Sequence, residues 1–161
     1  MGNISPALVG KAGELLVAAE LMRRGVEVAH PASDVGVDLL AYSLRPGEAV
    51  ARSFIPIQVK AHSGMGYSFQ KAWFKRSSGI MLVLVWHVQT TPEFYVFKDV
   101  DAVEKALGPV YTASKSWTPN GAYRITDPSQ EALGRLRPYP GLFNAAACAA
   151  LRPPCYIQGA K

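Results

Sequence analysis

Residues 37–42, VDLLAY, form a run with apolar side chains on both of the faces a strand presents. Side chains alternate along a strand. Such a segment therefore suits a central strand covered on both sides, not the edge or the open face of a sheet. A second run, 80–87, IMLVLVWH, has the same character. Residues 54–61, FIPIQVKA, read as a third strand, paired antiparallel to the first. Pro56 sits awkwardly in it, because proline cannot donate to a ladder. A bulge or a locally unpaired edge at Pro56 is the simplest resolution.

Helical signals surround these strands. Ser5 and Pro6 suit a helix cap and first helical position. Leu8, Ala12, Leu15, Leu16, Ala19 and Met22 then recur at helical spacing up to Gly25, predicting a helix over 6–24. Short strands follow at 26–29, 93–98 and 123–126. Asp99 caps a helix over 100–107 ended by Gly108-Pro109, and Asp127-Pro128 opens another running to about Arg137. Arg45-Pro46-Gly47-Glu48 reads as a turn. This order predicts an α/β fold with a mixed central β-sheet flanked by helices. With 161 residues, the chain is long enough for one domain with a real core. That domain is placed at 1–137, and 138–161 is read as a Pro/Ala-rich C-terminal appendage.

Composition narrows the functional classes. No apolar run approaches the roughly 18 residues of a membrane span. The start of the chain lacks the basic residues and apolar stretch of a secretion signal, so a cytoplasmic location is expected. Cys148 and Cys155 do not make a four-ligand zinc pattern and read as free thiols, with a tail disulfide left open. The net charge is +5, distributed as −2 over 1–40, +5 over 41–98 and +2 over 99–161. A basic surface attracts polyanions. It serves equally as a solubility device.

The polar groups in the strands carry the chemistry. Asp38 opens the first strand. Gln58 and Lys60 lie two apart on the third, and so on one face of it. One register brings acid, amide and ammonium within a few ångströms. Glu14 has Gly10, Lys11, Val17, Ala18 and Leu21 at neighbouring helical offsets, and the small and apolar ones suggest an inward-facing acid. Glu20, with Arg23 and Arg24 following, fits a solvated ion-pair face. Two carboxylates, the Val59 carbonyl and a lysine fit hydrolysis of a phosphodiester at a hard divalent cation. Lys71, Lys75 and Arg76 are interleaved with Tyr67, Phe69, Trp73 and Phe74, so this stretch either contacts phosphates and bases or is a basic loop over core aromatics. His62, two residues beyond Lys60, lacks any ligand spacing with His30 or His87.

Three stretches, GKAGELLVAAELMRRG, SDVGVDLLAY and IPIQVKAH, together resemble the PD-(D/E)xK nuclease superfamily, which has the restriction-endonuclease-like fold. They look most like archaeal Holliday-junction resolvases and Mrr-type nucleases. The likeness covers about 8–62, more loosely 80–108, and not the tail. It implies Mg²⁺-dependent cleavage of DNA, with Mn²⁺ as a substitute. Asp38 is then the metal-ligand acid, Glu14 the helix-borne acid and Lys60 the catalytic lysine. Gln58 stands where the family carries its second acid, a QxK variant. Gln58 and the Val59 carbonyl complete the implied metal set, and analogy suggests a homodimer. A nuclease fold that has lost cleavage and only binds or regulates is the main alternative. A structural module whose basic loop binds an acidic partner is a further one.

Overall fold

The computed structural model describes residues 4–33, 36–42, 54–76, 79–118 and 121–137. Asp34 (by sequence a nearby acid that could compensate for Gln58), the 45–48 turn, both cysteines and the 138–161 appendage lie outside the described residues. The elements run α1 (Pro6–Met22), β1 (Glu27–Ala29), β2 (Leu39–Tyr42), β3 (Phe54–Ala61), β4 (Tyr67–Gln70), α2 (Lys71–Arg76), β5 (Met81–Trp86), β6 (Glu93–Phe97), α3 (Val100–Leu107), α4 (Pro109–Thr112), β7 (Ala122–Ile125) and α5 (Gln130–Leu136).

Five strands form a mixed sheet in the order β1-β2-β3-β5-β6. β3 is its pivot: it pairs antiparallel with β2 and parallel with β5, while β1 and β6 close the edges antiparallel. No bulge accommodates Pro56. It sits opposite Leu40 in an uninterrupted β2 register, and the ladder to β5 starts one residue later at Ile57. The strand is one-sided where the proline lies, the second of the two expected resolutions.

Alternation divides the sheet into two cores. Ile57, Val59, Met81, Val83 and Val85 meet Val17, Ala18 and Leu21 of α1 on one face. Leu82, Leu84 and Trp86 meet Tyr67, Phe69, Trp117 and the apolar sides of α3 and α5 on the other. β4 and β7 form a separate two-stranded antiparallel sheet over this second face. Helices thus flank the mixed sheet on both sides. None of the described helices is long and apolar enough to cross a membrane.

Several local features depart from the sequence reading. The stretch 64–79 is not a plain loop: it contains β4 and α2. Pro109 does not only stop α3 but starts the short α4 behind Gly108, whose φ of 82° suits glycine. α5 is capped by the Ser129 side chain, not by Asp127. α1 is the most instructive case. Its cap is the expected one, Ser5 accepting from the Leu8 amide at 3.3 Å. The repeat that marks it as a helix, however, is largely not the buried one. Leu8, Leu15 and Met22 are 60%, 53% and 56% exposed, whereas Val9, Gly13, Val17, Ala18 and Leu21 are buried. Shape selects this face. Gly13 lies so close to β3 that a Cβ there would run into the Ala61 Cβ.

Adding that methyl forces α1 away from the sheet. Gly13→Ala is expected to destabilise the protein by about 1–3 kcal/mol in urea denaturation, as overpacking does. Ala61→Gly in the same chain is expected to return most of the loss. Gly10→Ala, where a Cβ meets nothing within 4 Å, is expected to gain about 0.5–1 kcal/mol as a helical glycine replaced.

Candidate functional site

β3 separates its packing residues from its polar ones by simple alternation. Ile57 and Val59 turn to the α1 core. Gln58 and Lys60, opposite Leu82 and Leu84 in the β5 register, share the other face. β2 begins beside them. The Asp38 amide donates to the Ile57 carbonyl at 2.8 Å, which ties the start of β2 to the middle of β3.

The Asp38 carboxylate is the centre of the cluster. Its Oδ2 accepts from the Val59 amide at 2.6 Å and from the Gln58 side-chain amide. Both bonds fall on Oδ2, leaving Oδ1 without a donor among the described residues. Gln58 is itself buried, 4% exposed, and its Nε2 also lies 3.5 Å from the Val59 carbonyl oxygen. Burial pushes the Asp38 pKa above the ordinary 3.8. The Val59 hydrogen bond, the Lys60 charge and the Gln58 bond pull it back, and the Glu14 charge adds to the rise. Desolvation prevails because a half-buried carboxylate loses more hydration than two donors and one partly exposed ammonium restore.

Lys60 is held by an aromatic ring. Its Nζ lies 4.8 Å from the ring centroid of Trp73, a buried residue of α2. Trp73 is thus a positioning residue for Lys60. The sequence offered it as either a base-stacking candidate or a core aromatic.

The structure brings together Asp38, Gln58, Val59 and Lys60 as expected. Glu14 stands apart. Its carboxylate is bonded to Lys11 at 2.7 Å, one turn earlier on the same helix, and α1 covers the sheet face opposite Gln58 and Lys60. It influences Asp38 as a like charge at the margin. Lys71 is also engaged elsewhere: it pairs with Glu104 at 2.9 Å and lies over the Trp117 ring, and its hydrogen bond to Glu104, followed by that of the Trp117 indole N–H, holds the Glu104 pKa below its ordinary value. Lys75 is exposed, and the Arg76 side chain lies outside the described atoms. Tyr67, Phe69 and Trp73 are buried, so the aromatic interleaving is core packing and not an open stacking platform.

The donor set suits a hard cation in kind. It offers oxygens only: Asp38 Oδ1, the Val59 carbonyl, and Gln58 Oε1 once the amide turns over. It supplies one committed carboxylate, and among the described residues no three Asp, Glu, His or Cys side chains converge. Comparison with family models, curated proteins and solved structures finds no match to this chain. The functional reading therefore rests on the geometry of the site.

His62 continues the polar face beyond Lys60. Its Nε2 is shielded and has no hydrogen-bond partner among the described residues. Burial first, then the Arg124 and Lys60 charges, holds its pKa below 6.5. The folded protein keeps this imidazole neutral where the unfolded chain already binds a proton. Stability is full above pH 6.5 and falls as the pH drops from there toward the lower folded value. His62→Gln is expected to flatten that segment of the stability–pH curve, read by urea denaturation at stepped pH.

Proposed function

We propose that this protein is a divalent-metal-dependent DNA endonuclease on a restriction-endonuclease-like fold. One observation carries the reading: a half-buried carboxylate at the start of β2 meets Gln58, Val59 and the charge of Lys60 on β3. A merely structural aspartate needs no ammonium on the same face, and a buried charge is costly without a task. The mixed sheet with helices on both faces agrees with this reading without being specific to it.

A Mg²⁺ ion bound there, or Mn²⁺ in its place, supplies Lewis acidity toward a phosphoryl oxygen and lowers the pKa of a water. Asp38 Oδ1 and the Val59 carbonyl are the holding groups, with Gln58 Oε1 as a third. Lys60 stabilises charge building on the phosphoryl oxygens. Trp73 fixes the ammonium for that task, so less ordering remains at the moment of reaction. The Asp38 Oδ2 bonds fix the carboxylate plane, a supporting role typical of groups behind a metal ligand. Glu14 joins the set only if it leaves Lys11. Cutting both strands of a duplex takes two such sites, so the acting unit is a homodimer.

Gln58 favours one rival specifically. It offers an amide nitrogen to Asp38, which makes it a donor to the carboxylate in this state and not a second acid. A nucleic-acid-binding module that has lost cleavage would look the same.

Two variants separate these readings. Wild type is expected to nick supercoiled plasmid with Mg²⁺ or Mn²⁺ and not with EDTA. Asp38→Asn is expected to lose at least about 100-fold in rate and the Mg²⁺-dependent rise in melting temperature. Unchanged nicking would sink the assignment. Gln58→Glu is expected to lower stability without metal, because two acids then adjoin. The same change is expected to raise Mg²⁺ affinity about 10-fold by titration. Plasmid binding without nicking, in wild type and Gln58→Glu alike, selects the binding module.

A further inference from the structure

Arg124 of β7 lines two clefts, the first of which borders the end of β3 just beyond Lys60. The first, about 530 Å³, runs between the start of α1 and the end of β3, with Ser5, His62 and Arg124 in its wall. The second, about 630 Å³, crosses the outer side of the β4–β7 sheet, where Ser68, Gln70 and Ser116 accompany Arg124. No carboxylate lines either cleft among the described residues. Arg124 is exposed and, among the described residues, is in none of the ion pairs that hold Arg23, Arg24 and Arg135. Arg23 and Arg24 bind Glu20, and Arg135 binds Glu131, while Arg137 at the end of α5 is exposed but lines neither cleft. A guanidinium left without an acid, at the junction of two acid-free clefts, is suited to an anion from outside.

The neighbourhood adds to this field. α1 is 17 residues long and directs its N-terminal end at the first cleft, with no acidic residue in its first turn. His62, two residues beyond Lys60, senses both Arg124 and Lys60 as neighbouring cations. Positive charge therefore extends from Lys60 past His62 to Arg124. Beyond Arg124 the second cleft offers uncharged hydroxyl and amide groups, the kind that contact phosphate and sugar without reading sequence. Lys71, by contrast, is already neutralised by Glu104.

We propose that the clefts meeting at Arg124 form the binding track for the phosphodiester backbone of DNA, with Arg124 anchoring a phosphate that flanks the one placed at Asp38 and Lys60. The proposal rests on the nuclease reading for the identity of the polymer and for which phosphate is cut. Binding along the track needs neither metal nor cleavage. It puts the DNA surface on β7 and the α1 end of β3, and not on the Lys71 side of α2.

The test is fluorescence anisotropy of a labelled duplex oligonucleotide in EDTA, titrated between about 50 and about 200 mM salt, where counterion release is read directly. Arg124→Gln is expected to weaken binding at least about fivefold at the low end and to reduce the salt slope by about 0.9, the value of one phosphate contact. Arg124→Lys is expected to keep most of that slope, and Arg23→Gln to change neither quantity. Circular dichroism checks that each variant is folded. Equal binding by wild type and Arg124→Gln overturns the proposal, as does failure of the wild type to bind DNA at low salt. Arg124-dependent binding with no Mg²⁺- or Mn²⁺-dependent nicking leaves the track standing and removes the nuclease reading. Nicking with no dependence on Arg124 does the reverse.

Discussion

Side-chain alternation along β3 is the constraint from which the rest of the molecule follows. One strand is paired on both edges, antiparallel to β2 and parallel to β5. Its odd-numbered residues Ile57 and Val59 are committed to α1, and its even-numbered residues Gln58 and Lys60 are released from that task. A slip of one residue in either ladder would put the amide and the ammonium under a helix and expose two core side chains. The apolar packing of α1 therefore holds the register that positions the polar cluster. Core and candidate site are not two regions of this protein but two sides of the same eight residues.

Asp38 closes this arrangement from the neighbouring strand. Its backbone amide bonds to Ile57 and its side chain to Val59 and Gln58, so one residue joins β2 to β3 twice. The carboxylate is held where ionising it is unfavourable, against donors that favour ionisation. Opposed terms of this kind mark functional sites more often than structural ones, although ion-pair networks also produce them.

Much of this was legible in the chain. The strands at 37–42, 54–61 and 80–87 announce themselves by composition, and the convergence of Asp38 with Gln58, Val59 and Lys60 follows from spacing once those strands are adjacent. The helix at 100–107 was legible to its ends because Asp99 and Gly108 are unambiguous caps. Other features were not. β4 and α2 span four and six residues, too few for any period to register. The pairing of Lys71 with Glu104 joins residues far apart in sequence, so nothing local shows that the lysine is occupied. Lys11, three residues before Glu14, was a local signal that the acid had a partner of its own. The importance of Arg124 depends on what surrounds it in space, which a lone arginine on a short strand does not reveal.

α1 remains the least ordinary element, because it is apolar on opposite sides. Hydrophobicity alone would let it settle on the sheet in either of two rotations half a turn apart. The native rotation places a glycine where the helix backbone comes closest to Ala61, and the inverted one would bring Leu15 toward that place. A leucine there holds the helix off by the thickness of a side chain and leaves the sheet poorly covered. The choice between a productive and a mis-rotated collapse thus falls on a single missing methyl group. Here the folding landscape has two entrances of similar oiliness, and steric fit rather than affinity for water decides which one leads down.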